Sequence, residues 1–361
     1  MRRPTRSTLA LLLPLTMLAA QGRAVPSAHA ATVHRGVSVW LPYWSMSAAN
    51  TSTLNNYAVI RTASPFWYQV AGDSKLVAHS GAGSTTLISA WHGKGMKVIP
   101  TVTEGQAAHD FGLMGTSSSR RAAHVATLRK IVLSRSYNGL DLDYETMALF
   151  KSGHNDTDAN RAAQAMTLIA RDTCAMLHKL SKKCVITVMA RTDDSHTYFR
   201  NILATWIYDS RAISKVADTV RVMAYGEHGP SGSAGPISSI GWVKKIIAYT
   251  KQTMPTAKTE LGLPAYGQDW SSGGNISVTG RSAAATASKY HATVTYDATA
   301  HENHYAYYKN GVRHTVWYGD PRSIDERSGL ARQAGFSGIA LWAAGQELSP
   351  TWTKLKARFS Y

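Results

Sequence analysis

Residues 137–145 read Tyr137-Asn138-Gly139-Leu140-Asp141-Leu142-Asp143-Tyr144-Glu145, YNGLDLDYE, a run in which acidic and apolar side chains alternate. A strand sends successive side chains to opposite faces, so Asp141, Asp143 and Glu145 point one way and Leu140, Leu142 and Tyr144 the other. Short runs rich in Val, Ile and aromatics lie on either side: Val37–Leu41, Val59–Phe66, Lys97–Val102, Val185–Ala190, Thr219–Ala224, Thr259–Leu263 and Gly338–Trp342. Between them stand segments of helical pattern, among them Ser119–Ser134, Asp158–Lys179 and Trp242–Met254. With Gly139–Tyr144 this makes eight strands alternating with helices, the signature of an α/β chain closed as a (β/α)8 TIM barrel.

The alternation breaks between the last two strands. The stretch from Gly267 to about Tyr318 is Ser/Gly-rich at first and then strand-like at Ala292–Tyr296 and His304–Tyr308. It is too long for an ordinary connection, so a small α+β insertion is expected at about 267–318. A helix at Ser323–Gln333 then leads into the final strand.

The amino terminus carries Arg2, Arg3 and Arg6, an uncharged apolar stretch from Leu9 to about Ala20, and Ala28-His29-Ala30 before Ala31. That order reads as a secretory signal peptide, residues 1–30, cut after Ala30. The apolar stretch is shorter than the roughly 20 residues needed to cross a bilayer, and no later segment spans, so an exported protein without a transmembrane segment is expected. Residues 31–361, 331 in number, fall within the size that α/β barrels reach as one domain. The whole chain carries +17, and the leader holds four arginines and no acid, so the remainder keeps +13. Such a balance fits adhesion to anionic cell-wall polymers or a merely solubilising surface, and nothing resembles a nucleic-acid-binding module. Cys174 and Cys184 are the only cysteines, and outside the cell an even pair is expected to form a disulfide. The 14 histidines are scattered, and no His/Cys grouping has the spacing of a zinc site.

Three like charges stacked in a buried setting cannot all ionise cheaply, so at least one carboxyl of the 141/143/145 ladder is expected to keep its proton near neutral pH. Proton donation to a departing sugar oxygen needs such a group. Glu145 stands last in the run, at the carboxyl end of the strand where barrel enzymes place their sites, and is the expected acid. Asp143 lies one pleat deeper, where it would orient its neighbour, and Asp141 completes the ladder. A divalent-metal site and a purely structural acidic ladder are the competing readings of the same residues.

This segment resembles the DxxDxDxE signature of family 18 glycoside hydrolases, with Asn138 in place of the first Asp. The resemblance continues in VMAY, Val222–Tyr225, similar to the family's Met-x-Tyr on the sixth strand, and in Leu341-Trp342 on the closing strand. Within the family, GLPAYGQDW at Gly262–Trp270 and the stretch His314–Glu347 resemble a branch of bacterial spore-cortex and cell-wall N-acetylglucosaminidases. The resemblance implies hydrolysis of β-1,4 linkages in N-acetylglucosamine-containing glycans, chitin or peptidoglycan, by a substrate-assisted retaining mechanism that needs no cofactor. Glu145 would protonate the glycosidic oxygen, the substrate's N-acetyl oxygen would attack, Asp143 would stabilise the oxazolinium, and Tyr225 would hold the acetamido group. Trp342 would form the floor under the cleaved sugar, with Met223 and Tyr266 from the matching motifs nearby.

Pyranose rings present an apolar face that stacks on Trp and Tyr, so Trp40, Tyr43, Trp44, Trp67 and Tyr68, from the first two strands, are expected along the groove; singly each fits the core equally well. Two positions depart from the family pattern. Gly226 stands where an acid usually follows the tyrosine, and either Glu227, on the same strand face as Tyr225 if the strand continues, takes over that role, which is the preferred reading, or the role is vacant. Asn138 removes a carboxyl from the base of the ladder. A rival function is a carbohydrate-binding lectin on the same barrel, but such proteins lose the terminal glutamate of the signature, which here is Glu145. A weaker rival, an unrelated barrel hydrolase for uncharged glucans, would ignore the acetamido group.

Overall fold

A computed structural model describes residues 36–359 together with Met1. The apolar stretch and cleavage site of the expected export signal lie outside the described residues. Gly139–Asp143 is a strand buried along its whole length, as a barrel stave covered on both faces must be. Its outward side chains pack beneath helices: the Tyr144 ring, just past the strand, meets Phe111 and His124 edge-on, from the helices Ala108–Thr116 and Ser118–Ser134. Its inward side chains, Asp141 and Asp143, fill the barrel interior.

Seven further strands complete a closed parallel ring: Gly36–Pro42, Ile60–Ala71, Thr101–Glu104, Lys183–Met189, Thr219–Met223, Thr259–Pro264 and Gly338–Trp342. Closure is visible in the first strand, which pairs in parallel with both the second and the eighth. The chain is thus the expected TIM barrel. The expected third strand is split, because Pro100 has no N–H to give a ladder, into Lys97–Val98 and Thr101–Glu104. The second runs on to Ala71 and folds back against Lys75–Ala78.

Several helices begin where side-chain caps satisfy free N–H groups. Asn155 caps Asp156–Lys179, Ser239 caps Ile240–Thr253, and Asp320 forms a capping box at Pro321–Gln333. The first of these ends near Cys174, which is disulfide-bonded to Cys184 at the start of the fifth barrel strand. No helix among the described residues is long and apolar enough to cross a membrane.

Between the seventh and eighth barrel strands lies a five-stranded antiparallel sheet with the helix Gly280–Lys289 against it. Its strands are Tyr266–Ser271, Ile276–Thr279, Thr295–Asp297, Glu302–Lys309 and Val312–Tyr318. Tyr305, Tyr307, Val316 and Tyr318 form its own small core with Ala283 and Ala287 of the helix.

Candidate active site

The barrel interior is polar at its floor. Asp141 is completely buried and accepts four hydrogen bonds: from Trp40 Nε1 at 2.9 Å, Thr101 Oγ1 at 3.0 Å, Thr187 Oγ1 at 2.8 Å and Arg221 Nη1 at 2.9 Å. Arg221 also donates to Ser64 and to Glu260, and Glu260 accepts from Ser38. These contacts draw on seven of the eight staves. Burial works against the Arg221 charge, but Asp141 and Glu260 more than offset it, so the guanidinium is held above its ordinary range. A carboxylate with a bidentate-capable cation and three neutral donors is a settled group, not a reactive one.

One pleat higher the conditions reverse. Asp143 is buried, and its Oδ1 has no hydrogen-bond partner among the described residues. Burial pushes this carboxyl well above its usual range, Glu145 and Asp141 push it further, and only Arg221 pulls the other way. Glu145 follows the strand's end, where the backbone turns into the short helix Thr146–Ala148. Its side chain reaches solvent in the cleft, yet the protein crowded around it, with Glu104 adding repulsion, raises it to about 7. A hydrogen bond with Asp143 opposes that rise. The pair therefore holds a proton at neutral pH at the mouth of the barrel, and the two titrate as a unit.

Glu104, from the end of the third strand, supports this turn. It is buried, accepts from Gln106 N at 2.7 Å and from Met147 N at 2.9 Å, and is itself raised to about 6 by burial. Tyr208 adds a second strut through its hydroxyl, which donates to the Tyr144 carbonyl.

Glu145 opens into a pocket of about 190 Å³ walled by Tyr225, Tyr266, Met223, Arg200, Phe199 and Trp242. Tyr225 and Tyr266 meet edge to face with ring centres 6.0 Å apart, and the Phe199 and Trp242 rings stack at 5.7 Å. Trp342, the last residue of the eighth strand, stands edge-on to Trp40, Trp44 and Phe66. Trp44 exposes 58% of its surface, and Tyr43 beside it stacks on His79. The mouth thus joins a proton-holding carboxyl pair, two phenols and aromatic faces.

Residues 45–347 match Glycosyl hydrolases family 18. The chain belongs to this family. It is 26% identical over 245 residues to the uncharacterized glycosylase YvbX of Bacillus subtilis, a match covering 67% of this chain and 66% of that protein. It is 34% identical over 160 residues to the cortical fragment-lytic enzyme of Bacillus anthracis, covering 42% of this chain and 37% of that one. The matches thus span between about a third and two thirds of the length of these relatives. In structure, it superposes on a chitinase from Chromobacterium violaceum with a TM-score of 0.77 at 24% identity, covering 91% of this chain and 99% of that one. The Bacillus cereus spore cortex-lytic enzyme SleL gives 0.78 at 20%, covering 90% and 74%.

Several residues expected along the groove of this family 18 barrel lie elsewhere. Trp40 is buried beneath the site, its ring against Arg221 and its N–H on Asp141. Trp67 and Tyr68 are buried too: Trp67 packs on Trp91 and Tyr137, and the Tyr68 hydroxyl bonds that of Tyr137. The ladder register shifts between Phe66 and Tyr68, which changes the face each side chain takes.

Glu227 does not stand beside Tyr225. Its strand ends at Met223 and Gly226 adopts φ +80°, so the alternation stops. The Glu227 carboxylate turns instead to Ser239, accepting from its N–H at 2.6 Å and its hydroxyl at 2.9 Å at the start of a helix. Asn138 is not at the base of the ladder. It has the outward parity of Leu140 and accepts from Val98 N at 2.7 Å, with His92 at 2.9 Å. Arg221, Glu104, Arg200, Phe199 and Trp242 were not foreseen. Of these only Arg221 left a signal, an arginine set between valines in a buried strand two residues before Met223.

Proposed function

We propose that this chain is an exported glycosidase that cleaves β-1,4 bonds beside N-acetylglucosamine in chitin or peptidoglycan, with retention of configuration. The observation that carries the reading is the adjacent Asp143–Glu145 pair, Asp143 lifted by burial and by Glu145, Glu145 lifted by the protein crowded around it and by Glu104, opening into a pocket with two phenols. Glu145 gives its proton to the glycosidic oxygen as the C–O bond breaks. The substrate's acetamido oxygen forms the new bond to the anomeric carbon, departing from the usual scheme with a carboxylate nucleophile. Asp143 faces the resulting positive oxazolinium and stabilises it, while Tyr225 and Tyr266 offer hydroxyls to the acetamido group. Water then opens the ring, losing a proton to Glu145. Export is supported by the amino-terminal pattern and by the Cys174–Cys184 bond, which suits an oxidising compartment.

The test is incubation with chitooligosaccharides and, separately, purified peptidoglycan, with products read by mass spectrometry and anomers by NMR. Reducing-end N-acetylglucosamine released first as the β-anomer is the expected result. Binding without turnover of either glycan would make the chain a lectin, and turnover of a glucan lacking the acetamido group would remove the substrate-assisted step.

A further inference from the structure

Among the residues walling the Glu145 pocket, Arg200 carries the only positive charge. Among the described residues its guanidinium has no carboxylate partner; it donates to the Gly226 carbonyl at 3.3 Å and to Ser231 Oγ at 3.0 Å. A guanidinium has five N–H groups, so three remain for a ligand.

The placement is built. Arg200 and Asn201 both adopt the left-handed backbone region, at φ 53° and 60°, a conformation uncommon for non-glycine residues and here adopted by two in succession. Gly226, at φ +80°, supplies the carbonyl that Arg200 bonds. At Gly229 an added Cβ would stand 2.3 Å from both terminal nitrogens of Arg200, so a side chain there would make the guanidinium shift from its present place. Two glycines and a strained turn thus hold one unpaired cation at the edge of a pocket whose other formal charge is Glu145.

Chitin is neutral along its length and gives such a cation nothing to pair with. Peptidoglycan carries carboxylates beside each N-acetylglucosamine, on the lactyl group of muramic acid or on the peptide attached to it. Taking the glycosidase reading above as its basis, we propose that Arg200 is a specificity-determining residue that pairs with a carboxylate on the sugar next to the cleaved N-acetylglucosamine. The site then prefers muramic-acid-containing glycans to chitin. The planar fork suits a carboxylate, and half-burial strengthens the pair relative to one in open water.

The experiment measures binding by calorimetry in full-length protein carrying Glu145→Gln, so that no probe is consumed. Three probes of equal length are compared: a chitooligosaccharide, a GlcNAc–MurNAc oligosaccharide with free lactyl carboxyls, and the same with stem peptides attached. An anionic probe is expected to bind about 10- to 100-fold tighter than the neutral one, the range for a hydrogen bond to a charged group. Adding Arg200→Gln should collapse that ratio towards one, and Arg200→Lys should keep part of it. Preference for the free-lactyl probe alone assigns the lactyl carboxylate; preference for the peptide-bearing probe assigns the peptide. Equal binding of all three probes, or a ratio unmoved by Arg200→Gln in protein of unchanged melting temperature, overturns the inference. Turnover by the wild-type chain is assayed in parallel, and its absence on every probe would sink the glycosidase reading while the binding ratio still decides the role of Arg200.

Discussion

The floor and the mouth of the barrel hold the same residue type, two positions apart on one strand, in opposite surroundings. Asp141 is surrounded by Arg221 and three neutral donors, whereas Asp143 and Glu145 meet chiefly each other and Glu104. A counter-charge brought by the sixth strand stabilises the lower carboxylate. Its limited reach upward leaves the pair at the mouth with a proton it would not hold in water. The lesson is that an acidic ladder is not one functional unit: the lower member serves folding, and the upper two are available for chemistry.

The sharpest way to break this division is Glu145→Gln. Turnover should fall by about 100- to 10,000-fold, the usual contribution of a general acid, while the melting temperature stays level or rises. Its pH behaviour follows from linkage. The folded carboxyl keeps its proton to about 7 whereas the ordinary value is 4.5, so the folded state binds the extra proton and loses stability as pH rises between those values. The variant should show a flatter decline of melting temperature over that window; an unchanged slope would contradict the assignment.

Arg221→Met probes the floor and should do the reverse to the fold. It strands Asp141 and Glu260 without their cation, and removal of one partner from a buried pair typically costs about 3–5 kcal/mol. Denaturant unfolding would measure this, and wild-type stability in that variant would mean the floor is not what holds the staves together.

Glu227→Gln separates the cap from the mouth. Weakening the hydrogen bonds that Glu227 accepts from the capping residue Ser239 should cost about 1 kcal/mol, while kcat should hold within about twofold. A sharp fall in kcat would return Glu227 to the site.

The smallest expected effect sharpens the boundary itself. As pH rises through about 7, Glu145 loses its proton and kcat/KM should fall. Glu104 is one of the causes lifting Glu145, so Glu104→Gln should move that limb to lower pH by a fraction of a unit. A shift to higher pH would show that Glu104 acts only through the turn at Met147.

What the chain declares locally proved legible. Alternation along a strand follows from backbone geometry, so the separation of Leu140 and Leu142 from Asp141 and Asp143 onto opposite faces needed no fold to be known. The strand and helix count likewise implied the barrel. The inserted sheet was only half legible: the expected strands Ala292–Tyr296 and His304–Tyr308 overlap the observed Thr295–Asp297 and Glu302–Lys309, whereas Val312–Tyr318, joined to the latter by the turn Asn310-Gly311, and the strands Tyr266–Ser271 and Ile276–Thr279 around the Ser/Gly-rich opening were not read.

Environment was decided only by closure. The cation that settles Asp141 lies 80 residues along the chain, and the tryptophan on the same carboxylate 101 residues back. A register shift in the second strand sent Trp67 and Tyr68 away from the groove, and one left-handed glycine aimed Glu227 at a helix. Which way a side chain points is set by its immediate neighbours in sequence. Whether it meets a cation, a core or open water is set by staves that come together only when the ring closes.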